Sequence, residues 1–331
     1  MKAAFFNNGN RLFDVYANGR KEIIEKEFEL FPQIITSENF AENAELLKEV
    51  EVIFTTWGMP ACTAEQLAKL PNLKLLMHAA GSTKSFAQPF LEAGVRVFCA
   101  AESNSIPVAE FCLAQILLAS KGFFQNILDT KRMRNNDHFG GAYKGKGAYG
   151  EKIAFISVGK ITKHTMELLS PFHFDKLAVS RSLSDSYCQE NSISKVTMEE
   201  AFEQAYIISN HLPDRDDNIG IINYDLLSQM RYGATFINTG RGAQVNEDDL
   251  IRVMKERPDL CALLDVTHPE PSSPNSELFD LPNVHMSSHL AGSINDEYVR
   301  MADFVIEQVK NWQNNKELSG EVSLEELAYL A

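Results

Sequence analysis

A chain of 331 residues is longer than one hydrophobic core usually organises, so its length predicts two domains. With 44% apolar and 23% charged residues it has the composition of a soluble globular enzyme, and a net charge of -14 excludes a surface built to hold nucleic acid. An anionic substrate is still open to it, because one well-placed arginine overrides the global field locally.

In the first third of the chain, short apolar runs alternate with helical patterns. Lys2–Phe6, Val52–Thr56 and Leu73–Met77 read as strands, with helices at Glu42–Glu49 and Ala64–Lys69. This alternation predicts a parallel sheet. From Ile106 to Phe124 the pattern becomes one long apolar helix, with Pro107 and Glu110 in its first turn and burial on most faces. Asn135–Gly150, rich in Gly, Asn and Lys, reads as a loop. A second series then begins, with strands at Ile153–Ser157, Lys176–Ser180, Ala205–Ser209, Ala234–Asn238, Leu260–Val266 and Asn283–Met286. Helices fit between them at about Lys160–Leu169, Leu226–Met230 and Glu247–Lys255, and a last amphipathic helix spans Asn295–Trp312.

The apolar start Met1–Phe6 is too short for a signal peptide, and the run Phe111–Ala119 is too short to span a bilayer. Cys62, Cys99, Cys112, Cys188 and Cys261 lie too far apart for zinc-type pairs, and their odd number suits reduced, mostly buried thiols. A cytoplasmic location is the resulting expectation.

The turn after Ile153–Ser157 reads Ser157-Val158-Gly159-Lys160-Ile161-Thr162. A dinucleotide fingerprint would be G-x-G-x-x-G here, and only its middle glycine, Gly159, is present. Serine at the first position implies an ordinary backbone angle, and Thr162 adds a branched side chain where the helix meets the sheet. Such a turn can be a turn and nothing more. It can also hold phosphate on the helix N-terminus, with charge from Lys160 and Lys163. About 20 residues on, where the fingerprint expects an acid for the ribose, this chain has Ser180-Arg181-Ser182. That trio suits a 2′-phosphate and hence NADP(H) over NAD(H); the alternative is a solvated Arg181 with Ser182 capping the next helix.

Three later strands each run into an ionisable residue. Ala234–Asn238 leads to Thr239-Gly240-Arg241-Gly242, Leu260–Val266 to Thr267-His268-Pro269-Glu270, and Asn283–Met286 to Ser287-Ser288-His289. In an open α/β sheet those ends border the ligand crevice. Arginine can grip a carboxylate and polarise a neighbouring carbonyl. Histidine can give a proton to the carbonyl oxygen and take it back in reverse. Glutamate can fix the imidazole and support its charged form. Together they describe reduction of a 2-keto acid; singly, each could be a salt bridge, a surface acid or a structural histidine.

Over nearly its whole length the chain resembles the D-isomer-specific 2-hydroxyacid dehydrogenase family, which includes NAD(P)-dependent glyoxylate/hydroxypyruvate reductases and phosphoglycerate dehydrogenases. The resemblance rests on Asn104-Ser-Ile-Pro-Val-Ala-Glu110, His211-Leu212-Pro213, Ile237-Asn-Thr-Gly-Arg-Gly242, Leu264-Asp-Val-Thr-His-Pro-Glu-Pro271 and Ser288-His-Leu-Ala-Gly292. It implies Arg241, Glu270 and His289 as the catalytic trio. It puts Asp265 near the nicotinamide amide and makes Ala80-Gly81-Ser82 a loop whose backbone N–H groups bind the substrate carboxylate. The expected cofactor residues are then Ser157, Gly159, Lys160, Ile161, Ser180, Arg181, Ser182, His211, Leu212, Pro213, Thr239, Gly240, Asp265, Ala291 and Gly292, with no metal. The implied fold is two Rossmann-like or flavodoxin-like doubly wound parallel-sheet domains. A cofactor domain, 104–292, is inserted into a substrate domain, 1–103 and 293–331. A homodimer joined through the cofactor domain, with hinge closure over the substrate, is also implied.

The chain departs from the family pattern at Ser157, Thr162 and Ser180, and at Asp214-Arg215 after Pro213. Its substrate loop continues as Ser82-Thr83-Lys84 without a second glycine. The departures leave room for another class of protein, a nicotinamide-nucleotide sensor or interaction protein on the same fold. Near these motifs, His78 could contact substrate or pack, and Trp57 could cover substrate or lie under its loop. His268 and the cluster Lys131, Arg132 and Arg134 read as solvated.

Overall fold

The structure, a computed structural model, describes residues 1–134 and 145–327. The chain divides into two compact units, Met1–Ser105 with Ser293–Ala331, and Ile106–Gly292.

In the first unit, β1 (Lys2–Phe5), β2 (Glu29–Leu30), β3 (Val52–Thr55), β4 (Leu75–His78) and β5 (Arg96–Cys99) form a sheet in the order β5-β4-β3-β1-β2. All these strands run parallel, and Glu321–Val322 adds an antiparallel edge beside β5. This is a doubly wound order. Side chains alternate between two buried layers. Ala3, Phe5, Val52, Phe54, Leu75 and Met77 face one cluster, which the helix Val299–Gln313 closes with Met301, Val305 and Val309. Ala4, Ile53, Leu76 and Val97 face the other, with Phe40, Leu47 and Phe90. A 3-10 turn at Asn295–Tyr298 precedes the helix Val299–Gln313, so its α-helical part starts later than the amphipathic pattern suggests.

The second unit carries β6 (Tyr149–Ile156), β7 (His173–Val179), β8 (Ile193–Lys195), β9 (Ile207–Asn210), β10 (Thr235–Asn238), β11 (Cys261–Leu264) and β12 (Val284–Met286). The sheet is parallel throughout, in the order β12-β11-β10-β9-β6-β7-β8. Its central strands are buried on both faces, which is why Ile153–Ile156 and Ile207–Ile208 read as unbroken apolar runs. The chain reverses its direction of travel between β6 and β9, and the carboxyl ends of those strands mark the switch point. Of the expected loop Asn135–Gly150, residues 135–144 lie outside the described residues, and Tyr149 and Gly150 already belong to β6.

The expected single helix Ile106–Phe124 is corrected in two ways. A helix runs from Ala101 to Ser120, so Pro107 sits inside it and not in its first turn. Only Ala100 separates β5 from that helix, and its polar opening Glu102-Ser-Asn-Ser carries no apolar period to announce it. Gly122, at φ +62°, then breaks the run, and a second helix, Phe123–Met133, leaves at 50° to the first. No single described helix is long and apolar enough to cross a membrane. All five cysteines are buried, and none forms a disulfide.

Candidate active site

The turn after β6 overturns one expectation. Ser157 does not take an ordinary backbone angle; it lies at φ +77°, where glycine is favoured. Two contacts hold it there. Its N–H donates to Val179 O at 2.9 Å, and its carbonyl accepts the Thr162 hydroxyl at 2.9 Å. Thr162 is fully buried, so its hydroxyl needs that partner. The sharp turn of the fingerprint is kept while its glycine is not. A left-handed serine costs about 1–2 kcal/mol. Ser157→Gly is therefore expected to raise stability by about 1 kcal/mol, read as a higher urea midpoint with an unchanged slope. A midpoint at or below that of the unmodified protein would show that the turn is not strained.

Gly159 caps the helix Lys160–Leu168 from an extended conformation, and it has no side chain to accept the first-turn N–H groups. A Cβ built on Gly159 would meet nothing within 4 Å, so the space above the turn is open. Ile161 is half-buried beside it. At the end of β7, Ser180 Oγ accepts the Ser182 N–H at 3.3 Å, and Arg181 is exposed. Ser182 does not cap the following helix. Ser184 does, accepting Tyr187 N–H at 3.2 Å, because two more residues are needed to turn the chain before Asp185.

Past β9, His211 is buried against Phe155, and its Nε2 lies 2.8 Å from Ser209 Oγ. Thr239 Oγ1 sits 3.5 Å from His211 Nδ1 and 3.4 Å from Cys112 Sγ. Leu212 and Pro213 follow, half-buried.

β10, β11 and β12 are consecutive neighbours, and the three ionisable residues leave their carboxyl ends in turn. Arg241 is half-buried; its Nη1 donates to Gly240 O at 2.9 Å and its Nε lies 3.8 Å from Asp214 Oδ2. His289 Nδ1 is hydrogen-bonded to Glu270 Oε1, and both side chains reach solvent. His289 itself is left-handed, at φ +55°. Asp265 keeps it there. The buried Asp265 carboxylate accepts Ser287 Oγ at 2.6 Å and the N–H groups of Leu290 and Ala291 at 2.9 Å each, and its carbonyl accepts His289 N–H at 2.9 Å. Gly292 ends this loop. A cavity of about 1040 Å³ opens here, bordered by Asp265, Glu270 and His289 and walled by Pro271, Phe279 and Met286. His268 points to solvent, as expected.

In the first unit, Ala80 follows β4, and its carbonyl accepts Ala100 N–H at 3.0 Å; Gly81 and Ser82 are half-buried. Trp57 is half-buried and packs edge-on against Tyr298 at 5.9 Å, at the margin of the core on one face of the sheet. His78 is buried edge-on against Phe86 at 4.8 Å, so packing is its observed role.

Burial pushes the His78 imidazole down to about 3 and that of His211 down to about 4. Both stay neutral in the fold, while an unfolded histidine takes a proton near about 6.5. Below that pH the unfolded chain binds more protons, so their contribution is complete above about pH 6.5 and is lost as pH falls toward about 4. Each should add a slope approaching about 1.4 kcal/mol per pH unit. Urea midpoints between about pH 7 and pH 5 check this, and His78→Leu should flatten the dependence; an identical slope in that variant would rule His78 out as a source.

The amides of Asn210, Asn238 and Gln244, all buried around the Arg241 turn, escaped sequence reasoning. Their signal was present: amides at the ends of apolar strands need partners, and residue types of this kind are seldom fully buried.

Comparison with known proteins agrees with this architecture. The NAD binding domain of D-isomer specific 2-hydroxyacid dehydrogenases matches residues 114–291, more than half of the chain. The YoaD protein of Bacillus subtilis (strain 168) is 27% identical over 239 residues, which cover 68% of this chain and 66% of YoaD. The D-3-phosphoglycerate dehydrogenase of Mycobacterium bovis is 27% identical over 248 residues, 75% of this chain but only 46% of that enzyme. The chain thus spans about two thirds of one relative and about half of the other. A solved phosphoglycerate oxidoreductase from Rhizobium etli has the same fold, with a TM-score of 0.81 over 98% of both chains at 19% identity. The chain belongs to the D-isomer specific 2-hydroxyacid dehydrogenase family, and its second unit carries that family's NAD binding domain.

Proposed function

We propose that this protein interconverts a small 2-keto acid and the corresponding D-2-hydroxy acid, using NADP(H) in preference to NAD(H). The observation that carries the reading is the Glu270–His289 pair, held by Asp265 at the end of β12, two strands along from the Arg241 turn. With Nδ1 bonded to Glu270, Nε2 is the nitrogen that gives a proton to the substrate carbonyl oxygen and removes it in reverse. Glu270 orients the ring. Arg241 binds the substrate carboxylate and polarises the carbonyl; it already faces a carboxylate, Asp214, at 3.8 Å.

In this reading residues 104–292 form the cofactor domain, and 1–103 with 293–331 form the substrate domain. On the first unit, the backbone N–H groups of Gly81 and Ser82 would bind substrate, while the Ala80 N–H is already donated to His78 O at 2.9 Å. The open space above Gly159 and the helix N-terminus behind it fit a pyrophosphate. Lys160, Ile161, His211, Leu212, Pro213, Thr239, Gly240, Ala291 and Gly292 would line the rest of the dinucleotide. When bound, the cofactor supplies or accepts the hydride. Ser180, Arg181 and Ser182, at a strand end with no acid, favour a 2′-phosphate. Exposed Leu118, Phe123, Met133 and Tyr149 on the second unit support a homodimer formed through it.

The test is NADPH oxidation with a panel of small 2-keto acids, including glyoxylate and hydroxypyruvate, with NADH in parallel. Turnover with a higher kcat/KM for NADPH is expected. Equal values for the two nucleotides would remove the NADP(H) preference. Nucleotide binding with silence across the panel would favour the sensor reading.

A further inference from the structure

Three primary amides in the second unit take no part in the chemistry above, yet they fasten its two cofactor-side turns together. Asn210 closes β9, Asn238 closes β10, and Gln244 lies just past Gly242; they are 0%, 1% and 2% exposed. Asn210 Nδ2 donates to Asn238 Oδ1 at 3.0 Å and to Gln244 Oε1 at 2.7 Å. The remaining ends go to backbone. Asn210 Oδ1 accepts Leu212 N–H at 3.2 Å, and Asn238 Oδ1 accepts Gly240 N–H at 3.1 Å. Asn238 Nδ2 donates to Arg241 O at 3.2 Å. Gln244 Oε1 accepts Arg241 N–H at 3.1 Å, while its Nε2 donates to Leu212 O at 2.8 Å and Pro213 O at 3.0 Å. Each amide has at least one backbone partner, and that partner decides which end is oxygen and which is nitrogen.

We propose that Asn210, Asn238 and Gln244 are positioning residues that lock the 211–213 turn to the Arg241 turn, so that nucleotide and substrate contacts are set as one unit. The inference rests on the roles proposed for those two turns. Gln244 is the keystone, because it alone touches the backbone of both. Its site demands an acceptor at one position and two donor hydrogens at the other. Leucine fills the volume and strands Arg241 N–H, Leu212 O and an Asn210 donor without a partner. Glutamate restores the acceptor but sets a carboxylate oxygen against two carbonyls. Gly240 completes the fit: a Cβ there would stand 2.8 Å from Gln244 Oε1 and 3.1 Å from Asn210 Nδ2.

The experiment uses the full chain with Gln244→Leu and Gln244→Glu. Three quantities are read: hydrogen exchange in peptides covering 210–215 and 238–244, the Kd for NADPH, and kcat/KM for a 2-keto acid. Gln244→Leu is expected to speed exchange in both peptides and to weaken Kd and kcat/KM together, each on the order of tenfold. Gln244→Glu is expected to match it at neutral pH. Its deficit relative to the unmodified protein should shrink as pH falls and the acid regains an O–H donor. The titratable and charged side chains of the joined turns, His211, Asp214, Arg215 and Arg241, are the same in both proteins and cancel in that ratio. Unchanged exchange in a folded Gln244→Leu, or loosening of one turn alone, overturns the proposal. Should Gln244→Leu fail to fold, a Gln244→Glu deficit that is flat with pH overturns it. If the unmodified protein binds nucleotide but reduces no 2-keto acid, the functional reading fails by itself, and exchange in the two peptides still decides the coupling.

Discussion

His289→Ala is expected to lower kcat by about a thousandfold while leaving the Kd for nucleotide within about twofold. The asymmetry follows from how the loop is built. His289 offers its ring to solvent and to Glu270, whereas the loop's path is fixed by backbone groups: Leu290 and Ala291 N–H on the Asp265 carboxylate, and His289 N–H on the Asp265 carbonyl. Removing the ring removes the proton donor and leaves the loop where it was. Glu270→Gln makes a subtler change. The amide can still touch Nδ1, but it brings no charge to an imidazolium that forms during turnover, so a loss of about ten- to hundredfold and an altered pH profile are expected. Steady-state rates across pH, with nucleotide titrations alongside, check both. Full turnover in His289→Ala would remove this residue from the mechanism.

The fold and the position of the site could be read from the sequence to different depths. Apolar runs such as Ile153–Ile156 are visible because a strand buried on both faces has no polar member, and the ends of β10, β11 and β12 stand out because an ionisable residue follows each run. Ser157 misled because the left-handed turn belongs to its neighbours. The Thr162 hydroxyl and the Val179 carbonyl impose it, and neither is adjacent in sequence. The helix at Ala101 was hidden for the opposite reason: its first turns are polar, and Pro107 imitates a helix start. The amides of Asn210, Asn238 and Gln244 show where reading stops. Their importance comes from meeting one another, and only pairing of β9 with β10 brings them together.

The second large effect is expected at Gly242. Its backbone is not left-handed, so alanine is acceptable there as a local conformation. The obstacle is the neighbouring loop. A Cβ on Gly242 would fall 2.0 Å from Thr267 C, 2.1 Å from Thr267 O and 2.6 Å from His268 N. All three are backbone atoms, so no side chain can swing aside. Reaching an ordinary carbon contact of about 3.5 Å requires the loop to retreat by more than about an ångström. That loop carries Glu270 two residues further on, and Glu270 is bonded to His289. Gly242→Ala should therefore cost about 1–3 kcal/mol of stability through overpacking. It should also lower kcat by about a hundredfold, the usual consequence of an ångström of misplacement. Urea unfolding and kcat measured on the same preparation separate the two. If the variant folds with near-normal kcat, the Glu270 loop moves independently of the Arg241 turn, and the close packing of these two strand ends does not set the catalytic geometry.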